Sequence, residues 1–64
     1  MKRRELIQHL NAHGCILVRE GGSHSVYGNP VSGHHEAVPR HAEIKKHLSR
    51  AICRRLGVPE PNGS

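Results

Sequence analysis

Apolar positions along the chain recur with two periods. From Lys2 to His13, Leu6, Ile7 and Leu10 fall at helical spacing, with Ala12 nearby and Gly14 just past the end, which predicts an amphipathic first helix. Its polar face carries Lys2, Arg3, Glu5, Gln8, His9 and His13. Cys15–Glu20 is short, aliphatic and bounded by glycines, and predicts a strand. After Gly21-Gly22, the run Ser23–Gly28 predicts a second strand, antiparallel to the first. Turn formers crowd Asn29–Gly33, and His34–Val38 predicts a third strand stopped by Pro39. The last element is a helix starting between Ala42 and His47. Ile44, Leu48, Ala51, Ile52 and Leu56 form its apolar stripe, Lys45, Lys46, Arg50, Arg54 and Arg55 crowd the rest, and Gly57 caps it before Pro59.

The order helix, three short strands, helix predicts a two-layer α+β domain, α-β-β-β-α, with a three-stranded antiparallel sheet and both helices on one face. Double-stranded-RNA-binding domains have this architecture and recognise RNA by shape and phosphate contacts. Residues 1–59 are expected to form a single domain, and 60–64 a disordered tail.

Composition changes this picture in three ways. A chain of 64 residues buries only about 60% of its unfolded surface, and with 34% apolar residues, no Phe, no Trp and one Tyr, aliphatic side chains must fill a thin core. A partner covering one face would help such a domain. Ten Lys and Arg against five Asp and Glu give a formal charge of +5, with seven histidines besides, so nucleic acid or an acidic protein is the expected partner. Cys15 and Cys53 are expected as buried free thiols in a reducing cytoplasm, and nothing in the sequence reads as a signal peptide or a membrane span. The letters Asn62-Gly63-Ser64 match a glycosylation sequon without an export signal to give them meaning.

The chemistry centres on Gly21-Gly22-Ser23-His24. Glycine tolerates positive φ, so Gly21-Gly22 can reverse the chain tightly and admit another molecule's backbone. The imidazole that follows is the side chain best suited to exchange protons near neutral pH. Alternation along the strand places His24 and Tyr27 on opposite faces. His9 and His13, one turn apart, lack a third ligand in register and are expected as surface residues. The adjacent His34 and His35 face opposite ways and cannot share one ion.

A family resemblance rests on Leu6-Ile7, Gly14, Leu17-Val18-Arg19, Gly22-Ser23-His24 with Tyr27 three residues on, Val38-Pro39 and the closing helix. In this order and spacing they resemble the HicA toxins of bacterial and archaeal type II toxin–antitoxin systems, from about Leu6 to Gly57. Cys15 departs from the Trp or Phe usual there, and Ser25-Val26 replace residues often histidine or otherwise polar. The resemblance implies a double-stranded-RNA-binding-like fold, mRNA interferase activity, a cognate HicB-type antitoxin, and His24 as the residue needed for activity.

RNA carries its own nucleophile, the 2′-hydroxyl, so a metal-independent ribonuclease without cofactor needs mainly proton transfer and charge stabilisation. His24 is expected to act as general base or general acid, contributing roughly 10²–10⁴-fold. The amides of Gly22 and Ser23 and a cation, Arg19 or Arg40, would stabilise phosphorane-like charge. Lys45, Lys46 and Arg50 would bind RNA phosphates. His34, His35 and His41 are open as counterparts to His24. The competing readings are a non-catalytic RNA-binding module and a metal-dependent enzyme or zinc-stabilised mini-domain.

Overall fold

The fold is that of a computed structural model, which describes residues 1–61. The Asn62-Gly63-Ser64 sequon lies outside the described residues. Helix α1 spans Arg3–Ala12, strands β1 (Ile16–Glu20), β2 (His24–Gly28) and β3 (His35–Pro39) follow, and helix α2 spans Lys46–Leu56. The strands form one antiparallel sheet in the order β1-β2-β3. This is the α-β-β-β-α layout expected.

The helices start and stop for local reasons. The Glu5 carboxylate accepts the otherwise orphaned Lys2 N–H at 3.1 Å, and Gly14, at φ 87°, ends α1 while the Cys15 N–H returns to Leu10 O. At the other end of the chain Gly57 takes φ 75°, which glycine adopts without a Cβ clash, and Val58 N–H bonds back to Cys53 O. The carbonyl of Leu56 is met by Asn29 Nδ2 at 2.7 Å, so the β2–β3 connection ties down the end of α2.

The core is one cluster. Leu6 and Leu10 of α1, Tyr27 and Val38 of the sheet, and Ile52, Cys53 and Leu56 of α2 meet there, with Cys15, Ile44 and Val58 closing its sides. Both helices therefore cover the sheet face that Tyr27 and Val38 share. Cys15 is 1% exposed and fills a position where a larger ring would not be accommodated without repacking.

Four details of the fold lie beyond the local pattern. Pro39 ends β3 from within it, paired with His24, because β3 is an edge strand where a missing N–H removes no ladder bond. The aliphatic run of β1 stays outside the core, with Ile16, Leu17 and Val18 54%, 46% and 44% exposed. β1 is the other edge, and a bulge between Leu17 and Arg19 breaks its alternation. A short antiparallel bridge between Lys2 and Glu43, which local periodicity does not reveal, fastens the start of α1 to the approach to α2. Finally, the last described residues are held: Glu60 pairs with Arg50 and Arg54, Pro61 is buried, and Pro59 O lies 2.6 Å from His9 Nε2.

Candidate active site

The hairpin between β1 and β2 closes through Gly21 N–H donating to His24 O at 2.8 Å. Neither Gly21 nor Gly22 has positive φ, which corrects the expectation for this turn; positive φ occurs at Gly14, Gly33 and Gly57. Gly21 instead allows a close approach. A Cβ there would stand 3.1 Å from His24 O, whereas one on Gly22 would meet nothing.

Alternation along β2 sends Ser25 and Tyr27 into the core and His24 and Val26 to the face that no helix covers. His24 thus lies opposite Tyr27, as expected, and is exposed. Its ring makes no hydrogen bond or ion pair among the described residues, so neither nitrogen is engaged by the protein. Arg19 pairs across β1 and β2 with Val26, two residues along the same face from His24, and its guanidinium is likewise unengaged among the described residues.

The other expected cations have different surroundings. Arg40 Nη2 donates to Glu20 Oε1 at 2.5 Å and to Gly21 O at 2.8 Å, so it grips the turn. Lys45 and Lys46 stand exposed where α2 begins, and Arg50 lies a turn further on, half-buried, with Nε 3.5 Å from Glu60 Oε1. The structure therefore groups His24 with Gly21, Gly22, Ser23, Arg19 and Arg40, and sets Lys45, Lys46 and Arg50 on the helical layer. A cleft of about 400 Å³ lined by Pro39, His41, Glu43, Ile44, Lys45 and Leu48 runs from the residue opposite His24 towards the start of α2.

The remaining histidines separate by position. His35 pairs with Gly28, the far end of β2 from His24. Four strand steps of about 3.4 Å put roughly 14 Å between the two ends, too far to serve one phosphate. His34 precedes His35 at that far end, whereas His41 follows Pro39 at the His24 end. His9 Nε2 faces a carbonyl and so must donate its proton there, while His13 Nδ1 lies 2.9 Å from His9 O and the two ring centroids lie 4.4 Å apart with their planes tilted by 44°. Among the described residues, no three His, Cys, Asp or Glu side chains converge as a metal site. Burial raises the pKa of Cys15, and burial, then Cys15 and Glu60, push Cys53 up to about 11, so both thiols are protonated and inert at neutral pH.

Sequence reasoning missed Arg3. The local pattern puts it on the solvated face of α1, yet its Nε donates to Pro39 O and its Nη2 to Ser25 Oγ, both at 2.8 Å. The signal was its position three residues before Leu6, on the buried stripe.

No described helix is long and apolar enough to cross a membrane. No curated protein and no solved structure matches the chain. The family model described as the HicA toxin of bacterial toxin–antitoxin systems matches residues 3–58, the whole α-β-β-β-α unit including the turn and His24. The chain belongs to the HicA family, the toxin component of a toxin–antitoxin system, and its partner is an antitoxin.

Proposed function

We propose that this toxin is an endoribonuclease that cleaves mRNA without a metal ion, with His24 as the proton carrier. The observation that carries this reading is the exposed, unengaged imidazole at the hairpin tip, on the open sheet face and beside the free cation Arg19. The attacking 2′-hydroxyl loses its proton, the 5′-oxygen leaves with one, and a cyclic phosphate forms without an external nucleophile. His24 supplies one of these transfers, as base or as acid. Position favours His41 over His34 and His35 as its counterpart. Arg19 is the side chain best placed to neutralise the charge that grows on the phosphate, aided by the amides of Gly22 and Ser23. Lys45 and Lys46 add sequence-independent attraction for the RNA backbone.

The antitoxin on this reading is of HicB type, acidic where it meets the basic surface, and suppresses cleavage by covering His24 in the cytoplasm. The test is RNA incubated with the purified toxin and with His24→Ala, each with and without EDTA. Chelator-resistant cleavage that falls by roughly 10²-fold or more in the variant is expected. Undiminished cleavage by His24→Ala overturns the assignment, loss of cleavage with EDTA makes the enzyme metal-dependent, and salt-sensitive RNA binding without breakdown makes the domain a binding module.

A further inference from the structure

We propose that Arg40 and Glu20 are positioning residues for His24, acting through the turn, and that Arg40 is not one of the cations that hold RNA phosphates. The catalytic part of this inference rests on the ribonuclease reading above; the part that concerns the turn does not.

Four elements converge on the turn through one chain of hydrogen bonds. Glu20, the last residue of β1, accepts from Ser25 Oγ at 2.6 Å and from Arg40 Nη2 at 2.5 Å on the same oxygen, Oε1. Ser25 is 1% exposed and directly follows His24. Its single hydroxyl proton goes to Glu20, and it accepts from Arg3 Nη2 at 2.8 Å. Arg3 also holds Pro39 O, on the residue paired with His24. Arg40 closes the loop twice, through Nη2 to Gly21 O at 2.8 Å and through its backbone N–H to Ser23 O at 3.3 Å. Gly21 and Ser23, the residues on either side of Gly22, are therefore both held by Arg40. Gly21 in turn bonds the carbonyl of His24 itself.

The Glu20 and Arg40 side chains are 52% and 43% exposed, so their charge attraction alone is weak. Geometry gives the pair its value. One planar nitrogen, Nη2, donates to both the carboxylate and the carbonyl in directions that the guanidinium plane fixes, whereas a freely rotating ammonium offers a point charge without that shape. Turning Arg40 towards a phosphate would strip Gly21 O of its side-chain donor and Glu20 of one of its two donors, and so loosen the turn. Arg19, with no such duties among the described residues, remains the cation facing substrate.

The two roles for Arg40 make opposite predictions, read from the full-length toxin carrying Arg40→Ala, Arg40→Lys or Glu20→Ala. The measurements are amide hydrogen exchange at Gly21 and Tyr27, and kcat and KM for RNA cleavage. A positioning role predicts exchange at Gly21 about tenfold faster in all three variants, with Tyr27 unchanged. It also predicts kcat lowered about tenfold to a hundredfold at a KM within about twofold, and no rescue by lysine. A phosphate-binding role, which overturns the proposal, predicts unchanged Gly21 exchange, raised KM in Arg40→Ala, rescue by Arg40→Lys, and tighter RNA binding in Glu20→Ala as the arginine is freed. If wild-type toxin cleaves no RNA, the ribonuclease reading fails on its own, while faster Gly21 exchange still supports the hold on the turn and unchanged exchange refutes it.

Discussion

Gly28→Ala tests how the open face of the sheet is built. Gly28 ends β2 and is buried without a side chain, because Val18 of β1 and His35 of β3 close over it. A methyl group there would stand 2.8 Å from Val18 Cγ2 and 2.7 Å from His35 Cδ2, well inside the contact distance of about 3.5–4.0 Å. The exposed His35 ring can swing aside, but Val18 is β-branched with a stiff χ1 and sits in the bulge. Two terms then compete. Because φ at Gly28 is not positive, alanine fits the backbone and gains about 0.4–1 kcal/mol by restricting the unfolded chain. Overpacking of this kind costs about 1–3 kcal/mol. The clash wins, leaving a net loss of about 1–2 kcal/mol, which in a chain this short lowers Tm by about 4–8 °C per kcal/mol. Thermal and urea unfolding followed by far-UV circular dichroism on Gly28→Ala, Val18→Ala and the double variant measures it. In the Val18→Ala background the alanine should be neutral or stabilising, a coupling of about 1 kcal/mol or more. Stabilisation by Gly28→Ala in the otherwise native chain, or an equal cost in both backgrounds, would refute the reasoning.

Two further outcomes follow from buried polar groups. Asn29→Ala removes the donor to Leu56 O and should lower the free energy of unfolding by about 1–3 kcal/mol in urea titrations; Asn29→Asp should be no better, since a carboxylate cannot donate to that carbonyl. Cys53 gives the protein an alkaline weakness: the unfolded chain releases the thiol proton near 9.0 and the folded chain holds it to about 11, so the stability present in full below about pH 9 is lost as pH rises towards 11. Two pKa units correspond to about 3 kcal/mol. Unfolding curves from pH 8 to 11 should fall more steeply for wild type than for Cys53→Ala, and parallel curves would contradict the assignment.

Residues that act on near neighbours in the chain were legible without a structure. The apolar stripe from Ile44 to Leu56, the stop at Gly57, the hairpin around Gly21-Gly22 and the opposition of His24 and Tyr27 follow from periods of 3.6 and 2 and from turn chemistry, all set by residues a few positions apart. Legibility failed where the deciding contact lies far along the chain. A glycine pair signals a turn, but whether it takes positive φ or only makes room depends on where the strands bring His24 O. Likewise, the aliphatic letters of β1 do not disclose that it is an edge strand beyond the reach of the helices.

The sequence by itself thus determined the element order, the fold class and the residue on which the chemistry is proposed to turn. Only the tertiary structure decided what surrounds that residue. Arg3 meets Ser25 across 22 positions and Arg40 meets Glu20 across 20, and no local pattern encodes either encounter. Three basic residues that look alike in the sequence accordingly part company in space: Arg3 is drawn under the sheet, Arg40 clasps the turn, and Arg19 is left free beside His24. The physical reason is that a guanidinium's role is set by the acceptors within its reach, and those acceptors are assembled only when the strands pair and the helices dock.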